Sequence, residues 1–288
     1  MDNIRELHSF HMSEEIRERM SAFIESTFGI RMPAAKKTLL EGRLSKRLRA
    51  LHLSSFEAYY EFLMSEHGQE EEMIHFSDLV STHKTDFFRE KSHFDYLLAT
   101  VLPGLHKDGA GTKRTLNVWS AAASTGEEVY TLAMVIDDFF IKNGIPNPQF
   151  SVLGTDISEH ALHKALRAVY NERLAEPIPV EYRQRYLTRG TGEHEGLVRI
   201  TPALRAHTRF RALNLMEDSY DLTESMDIIF LRNVLIYFEK PTQERIIQHL
   251  RASLSDDGWF FIGHSESIFG FHTGLTPVIP TVFRRGNG

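Results

Sequence analysis

The 288-residue chain contains no cysteine, which excludes a disulfide framework, thiolate-bound zinc and a thiol nucleophile. It lacks an apolar stretch long enough to span a bilayer, and its first residues lack the basic segment and apolar core of a secretory signal. A cytoplasmic protein without membrane insertion is expected. Positive charge is also short: 33 Lys and Arg face 39 Asp and Glu, a net charge of −6. The molecule as a whole has no electrostatic case for nucleic acid. Fifteen histidines include no His-Glu-x-x-His pair, and no metal is expected. What is present is 42% hydrophobic and 11% aromatic content, enough to build a sizeable core in one large or two modest domains.

Apolar residues recur at helical spacing through the first part of the chain: Ile16, Met20, Phe23 and Ile24, then Leu40, Leu44, Leu48 and Leu51, then Phe56, Tyr59, Tyr60 and Leu63, then Met73, Ile74, Phe76 and Leu79. These predict a small all-helical domain. A helix over 92–105 follows, closed by Pro103-Gly104. Beyond it the pattern alternates, with strands over 115–119, 150–154, 209–214, 226–230 and 259–262 and helices over 126–142, from Ser158, and over 243–254. The Asp257-Gly258 pair reads as the turn before the last strand. Alternation of this kind predicts an α/β domain, a parallel sheet with helices on both faces and ligands beyond the strand carboxyl ends. Asp156, Asn214 and Arg232 then share one rim. Residues 177–208 break the alternation and read as a small β insertion. The expected division is 1–90, helical domain and linker, and 91–288, the α/β domain.

The run Asn117-Val-Trp-Ser-Ala-Ala-Ala-Ser-Thr-Gly-Glu-Glu-Val-Tyr130, followed by Ser151-Val-Leu-Gly-Thr-Asp156, reads as strand, turn of small residues, helix, and a second strand ending in a carboxylate. Small side chains let a ligand approach the backbone, and a carboxylate there can accept ribose hydroxyls. The turn has one glycine, Gly126, no lysine, and two carboxylates, Glu127 and Glu128, so neither a pyrophosphate fingerprint nor a P-loop is present. Carboxylates repel phosphates. S-adenosylmethionine has ribose and adenine, no phosphate, and cationic ammonium and sulfonium groups. The competing reading is an ordinary strand–helix unit whose glutamates stabilise the helix dipole.

Six motifs in chain order resemble the chemotaxis receptor glutamate methyltransferases, the CheR family. They are Thr85-Asp-Phe-Phe-Arg-Glu90, Trp119-Ser-Ala-Ala-Ala-Ser-Thr-Gly-Glu-Glu128, Gly154-Thr-Asp-Ile157, Arg189-Gly-Thr-Gly192 with His194-Glu-Gly-Leu-Val198, Arg232-Asn-Val-Leu-Ile-Tyr-Phe238 and Gly263-His-Ser-Glu266. The resemblance implies a class I S-adenosylmethionine-dependent methyltransferase domain, Rossmann-like, with a small β-subdomain insertion and an all-helical N-terminal domain. It implies methyl transfer to glutamates on the cytoplasmic helices of chemoreceptors, giving methyl esters for sensory adaptation. The implied cofactor residues are Thr85, Arg89, Glu128, Asp156, Asn214, Leu215, Arg232 and Asn233, with His83 where the family usually has Asn. The helical domain is implied to dock on the receptor, and the β-subdomain to capture a receptor's C-terminal pentapeptide as an added strand.

A glutamate with a reference pKa of about 4.3 is already ionised at neutral pH, so its methylation needs orientation and no general base. Arg89 and Tyr237 are the candidates for that orientation, Arg89 by forking onto a carboxylate of substrate or cofactor. Lys36, Arg43, Lys46 and Arg47 form a basic face suited to an acidic helix, or a solvated face. Arg189, Gly190, Gly192 and Arg199 are the candidates for holding a peptide by strand addition. Gly263-His-Ser265-Glu-Ser267 approximates a hydrolase nucleophile elbow, with Ser for the last Gly, yet beyond Ser265 there is no Asp, only Glu266 as an acid and His272 as the one later histidine, so that reading is set aside. A monomer is expected. The alternatives are an S-adenosylmethionine methyltransferase with another substrate and a non-catalytic signalling scaffold of the same fold.

Overall fold

The helical periodicity of the first eighty residues becomes five helices: α1 (Glu14–Phe28), α2 (Lys37–Ala50), α3 (Phe56–Met64), α4 (Glu66–Glu71) and α5 (Met73–Val80). The structure, a computed structural model, describes residues 10–286, and the chain divides into two units between Thr82 and His83. In the first unit, Ser13 caps α1 by accepting from the Ile16 N–H, and Gly29 ends it at a φ of 70°. Ile16, Met20, Ile24 and Phe28 line its buried face, as Leu40, Leu44 and Leu48 do on α2. A buried carboxylate crosses this apolar core: Glu72, 1% exposed, accepts from Arg47 Nε and Nη2 and from the Tyr59 hydroxyl.

The second unit opens with α6 (Ser92–Tyr96), a π turn (Leu97–Val101) and α7 (Leu102–Lys107). Helical backbone runs without a break through these three segments, from Ser92 to Lys107, so Pro103 lies inside the helix, just past the π turn, and does not close it. Then follow β1 (Leu116–Ala121), α8 (Glu127–Lys142), β2 (Phe150–Asp156), α9 (Glu159–Arg167), β3 (Val169–Asn171), α10 (Val180–Tyr186), β4 (Leu187–Arg189), β5 (Leu197–Ile200), α11 (Pro202–Arg205), β6 (Thr208–Ala212), β7 (Met226–Leu231), α12 (Lys240–Ala252), β8 (Leu254–Ile262), β9 (Leu275–Ile279) and β10 (Val282–Arg285).

Seven strands form one sheet in the order β6-β2-β1-β7-β8-β10-β9, parallel from β6 to β8 and antiparallel beyond. Alternate side chains feed two cores: Val118, Phe230 and Phe261 on one face, Trp119, Ile229 and Phe260 on the other. The sequence pattern does not announce β9 and β10, because β9 is an exposed edge strand carrying Pro277, which only an edge tolerates. Asp257-Gly258 lies within β8, not ahead of it, since β8 starts at Leu254. A separate antiparallel sheet, β3-β5-β4, forms the insertion. Its first strand starts at Val169, eight residues before the expected boundary at 177.

Candidate active site

Register pairs Ala121 with Thr155 and with Leu231, Asp156 with Ala212, and Leu231 with Ile262, so five parallel strands end on one edge. Beyond β1 the chain turns sharply at Ala122 (φ 62°), Ser124 (φ 50°) and Gly126 (φ 94°) before entering α8. Only glycine fits at 126, because a Cβ would lie 2.7 Å from Ala165 Cβ. Tyr170 of β3 donates to the Thr125 carbonyl at 2.8 Å, so the insertion's first strand buttresses this turn. Asp156 closes β2, and its two oxygens accept the backbone N–H groups of Ser124 (2.8 Å) and Ser158 (2.9 Å). The Ile157 N–H also bears on this carboxylate, which of its roughly four lone-pair sites retains acceptor capacity for a hydroxyl donor. Burial pushes this carboxyl above its ordinary range, opposed by the N–H groups of Ser158 and Ser124 and by nearby His83.

Arg232, at the end of β7, is the hub of the opposite half of the rim. Its Nη1 donates to Glu128 Oε2 at 3.0 Å and its Nη2 to Glu90 Oε2 at 3.0 Å. Its Nη2 also donates to the Arg89 carbonyl, and its plane lies over the rings of Phe94 and Phe230. Glu128 Oε1 accepts the Ser120 hydroxyl at 2.7 Å. Burial raises the Glu128 carboxyl, with Arg232 opposing. Glu90 lies below its ordinary range because hydrogen bonds from Asn233 and the charge of Arg232 outweigh its own burial. Asn233 Nδ2 donates to Glu90 Oε1 at 3.1 Å from a left-handed backbone (φ 58°). Five of the eight non-glycine residues with positive φ among the described residues fall in this region: Phe88, Glu90, Ala122, Ser124 and Asn233.

Comparison with known proteins decides the family. Residues 17–81 match "CheR methyltransferase, all-alpha domain" and residues 83–282 match "CheR methyltransferase, SAM binding domain". The chain belongs to the CheR methyltransferase family. It is similar to chemotaxis protein methyltransferase 2 of Pseudomonas aeruginosa, at 36% identity over 90% of this chain and 88% of that protein. It resembles the chemotaxis protein methyltransferase of Klebsiella aerogenes at 38% identity, covering 89% of this chain and 84% of the other, and that of Salmonella typhimurium at 36%, covering 89% and 85%. It is therefore an S-adenosylmethionine-dependent methyltransferase of α/β fold with an all-helical N-terminal domain, as the sequence motifs imply.

Within this CheR fold the remaining sequence candidates separate. Arg89 Nη1 donates to the Lys84 carbonyl at 3.1 Å, and Arg89 acts by its charge on Glu128. Thr85 and His83 are half-buried on the same segment. Asn214 lies two residues past β6, its side chain accepting from the Met216 N–H, and Leu215 is buried with its carbonyl taking the Tyr220 hydroxyl. Tyr237 is half-buried in a short 3-10 turn (Leu235–Tyr237) after β7. Arg189 stands exposed on edge strand β4, paired with Glu172 at 3.3 Å, while Arg199 is on central β5. The Gly190 N–H donates to Leu197, and a Cβ there would meet the His194 carbonyl at 2.0 Å. On α2, Arg43 donates to the carbonyls of Leu79 and Ser81 and Arg47 to Glu72, so both bind within their own unit. Lys46 is exposed and Lys36 half-buried.

Two carboxylates of the CheR site escape sequence reasoning. In sequence both are visible only as the last residues of their motifs, with Glu266 also inside the failed hydrolase pattern. Glu266 is buried and accepts the N–H groups of Gly263 (2.7 Å), Leu235 (2.8 Å) and Asn233 (2.9 Å), which locks the chain after β7 to the chain after β8. Glu90, His93 and His264 also bring possible ligand atoms within 4.8 Å of one another. The Arg232 guanidinium, 3.0 Å from Glu90 Oε2, repels a second cation there.

His93 is 2% exposed, and burial pushes its pKa down from 6.5 to about 3. It is neutral in the folded chain, while the unfolded chain protonates it below 6.5. The unfolded state thus binds more protons between these values, and stability falls as pH drops through that window, by at most about 1.4 kcal/mol per pH unit. Urea titrations from pH 7 to 5 should show a shallower loss for His93→Gln than for the parent; equal slopes would refute this.

Proposed function

We propose that this chain transfers methyl groups from S-adenosylmethionine to glutamate side chains of chemoreceptors. The observation that carries the reading is the Glu128–Arg232 pair on the same rim as Asp156, with the end of β1 between them. An amino-acid headgroup is a zwitterion, and a carboxylate and a guanidinium side by side complement its two charges. Asp156 has acceptor capacity left for ribose hydroxyls, and the turn after β1 carries the carboxylates Glu127 and Glu128 and no lysine or arginine, which disfavours phosphate. His83, Thr85, Arg89, Glu128, Asp156, Asn214, Leu215, Arg232 and Asn233 are assigned to the cofactor. When bound, it supplies a methyl group on a sulfonium sulfur that an ionised carboxylate accepts without prior proton loss.

The chain's own contribution is orientation. Arg89 and Tyr237 are assigned to the acceptor carboxylate, Arg89 as the cation that offsets its charge and Tyr237 as a hydroxyl donor. Receptor helices are taken as the macromolecular partner, met by Lys46 on the exposed side of α2 and by Lys36 just ahead of that helix. A receptor's C-terminal peptide would add to β4, the edge beside Arg189 and Gly190. The protein acts in the cytoplasm as a monomer and without metal.

Incubation of the full chain with a cytoplasmic receptor fragment and methyl-labelled S-adenosylmethionine should leave base-labile label on glutamate. Binding of S-adenosylhomocysteine with no label on the fragment would refute the acceptor and leave another substrate. Absence of both would leave the scaffold.

A further inference from the structure

We infer that Phe269 and Ile236 form an apolar grip for the substrate protein, packing against an apolar residue about one turn from the acceptor glutamate on its helix. The inference rests on the reading under Proposed function. Phe269 is 96% exposed and Ile236 57%. Single exposed apolar residues are common and by themselves signify little. Three observations set these two apart.

The first is that neither sits on a loose segment. Ile268 is 7% exposed and Phe271 packs against the core, while Gly270 turns the chain between them at a φ of 84°. The Phe269 N–H donates to Ser267 Oγ and the Phe271 N–H to the Ile268 carbonyl at 3.1 Å. The loop is thus fastened on both sides of an aromatic ring that it presents to water. Ile236 likewise projects between buried Leu235 and buried Phe238.

The second is that one carboxylate carries both tips. Glu266, three residues before Phe269, accepts the N–H of Leu235, the residue before Ile236. The third is place. Both tips follow the carboxyl ends of the neighbouring strands β7 and β8, and Ile236 adjoins Tyr237. Methyl transfer at this edge requires the acceptor protein to cover it, so the occupant is the substrate itself. Residues three or four apart on a helix lie side by side, about 5–6 Å between Cβ atoms. A glutamate directed into the rim therefore brings an apolar neighbour onto its lip.

Methylation rates measured against receptor-fragment concentration, with S-adenosylhomocysteine calorimetry on each variant, test this. Phe269→Ser should raise KM for the fragment about tenfold, with turnover at saturation within about twofold and S-adenosylhomocysteine affinity unchanged. Ile236→Ser should act in the same direction, and Phe269→Leu should keep most of the parent's affinity for the fragment. An unaltered KM in Phe269→Ser and Ile236→Ser, with the parent active, overturns the grip alone. Failure of the parent to label the fragment overturns the acceptor assignment and the grip with it.

Discussion

S-adenosylhomocysteine is expected to bind Asp156→Ala at least about tenfold more weakly than the parent chain, a loss of about 1.4 kcal/mol or more. Two effects add. The carboxylate is the rim's acceptor at the end of β2, and its oxygens also hold the N–H groups of Ser124 and Ser158. Alanine would therefore remove the proposed ligand contact and free the turn beside it. Asp156→Asn separates the two, because its one carbonyl oxygen can keep a single acceptor role while its NH2 faces a donor. It should bind less well than the parent and better than alanine. Isothermal calorimetry beside an unfolding curve gives the answer. Wild-type affinity in a folded Asp156→Ala chain would remove Asp156 from the cofactor site.

Arg232→Leu should be the most damaging single change to the second unit, lowering its stability by about 3–5 kcal/mol. The guanidinium, 2% exposed, stands between Glu90 and Glu128, so its loss leaves two poorly hydrated carboxylates facing each other without a cation. Adding Glu90→Gln to Arg232→Leu should recover part of the loss, since one of the two stranded charges disappears. Acid should narrow the gap between parent and variant as the carboxyls protonate. Chemical denaturation at neutral pH and near pH 5 measures both effects; an Arg232→Leu chain as stable as the parent would refute the hub.

The start of α9 was readable because Ser158 bonds its own neighbourhood, accepting the Ala161 N–H three residues on. The turn after β1 was readable because small residues and glutamates follow an apolar strand without interruption. Strand lengths were read short there: Ser120 and Ala121 resemble turn residues in sequence but are the buried end of β1. Glu90 and Glu266 gave little local signal, since Glu90 pairs with Arg232, 142 residues away, and Glu266, besides its bond from Gly263, accepts N–H groups 31 and 33 residues away. Strand β3 is three residues long and exists through pairing with β5, so no run of its own could reveal it. Arg43 and Arg47 looked like surface charges because basic residues flank them, while their acceptors come from the end of α5 and from Glu72.

The left-handed backbone at Phe88, Glu90, Ala122 and Ser124 carries one more implication. Each such residue costs about 1–2 kcal/mol relative to a relaxed conformation, and four together reach the scale of a domain's whole net stability, about 5–15 kcal/mol. At Phe88 and Glu90 the side chain offsets that cost through ring packing and the Arg232 pair, whereas at Ala122 and Ser124 glycine would relieve it with little side chain lost. A search for heat-tolerant variants would therefore be drawn to those two positions, and would there improve endurance by softening the turn proposed to hold the cofactor.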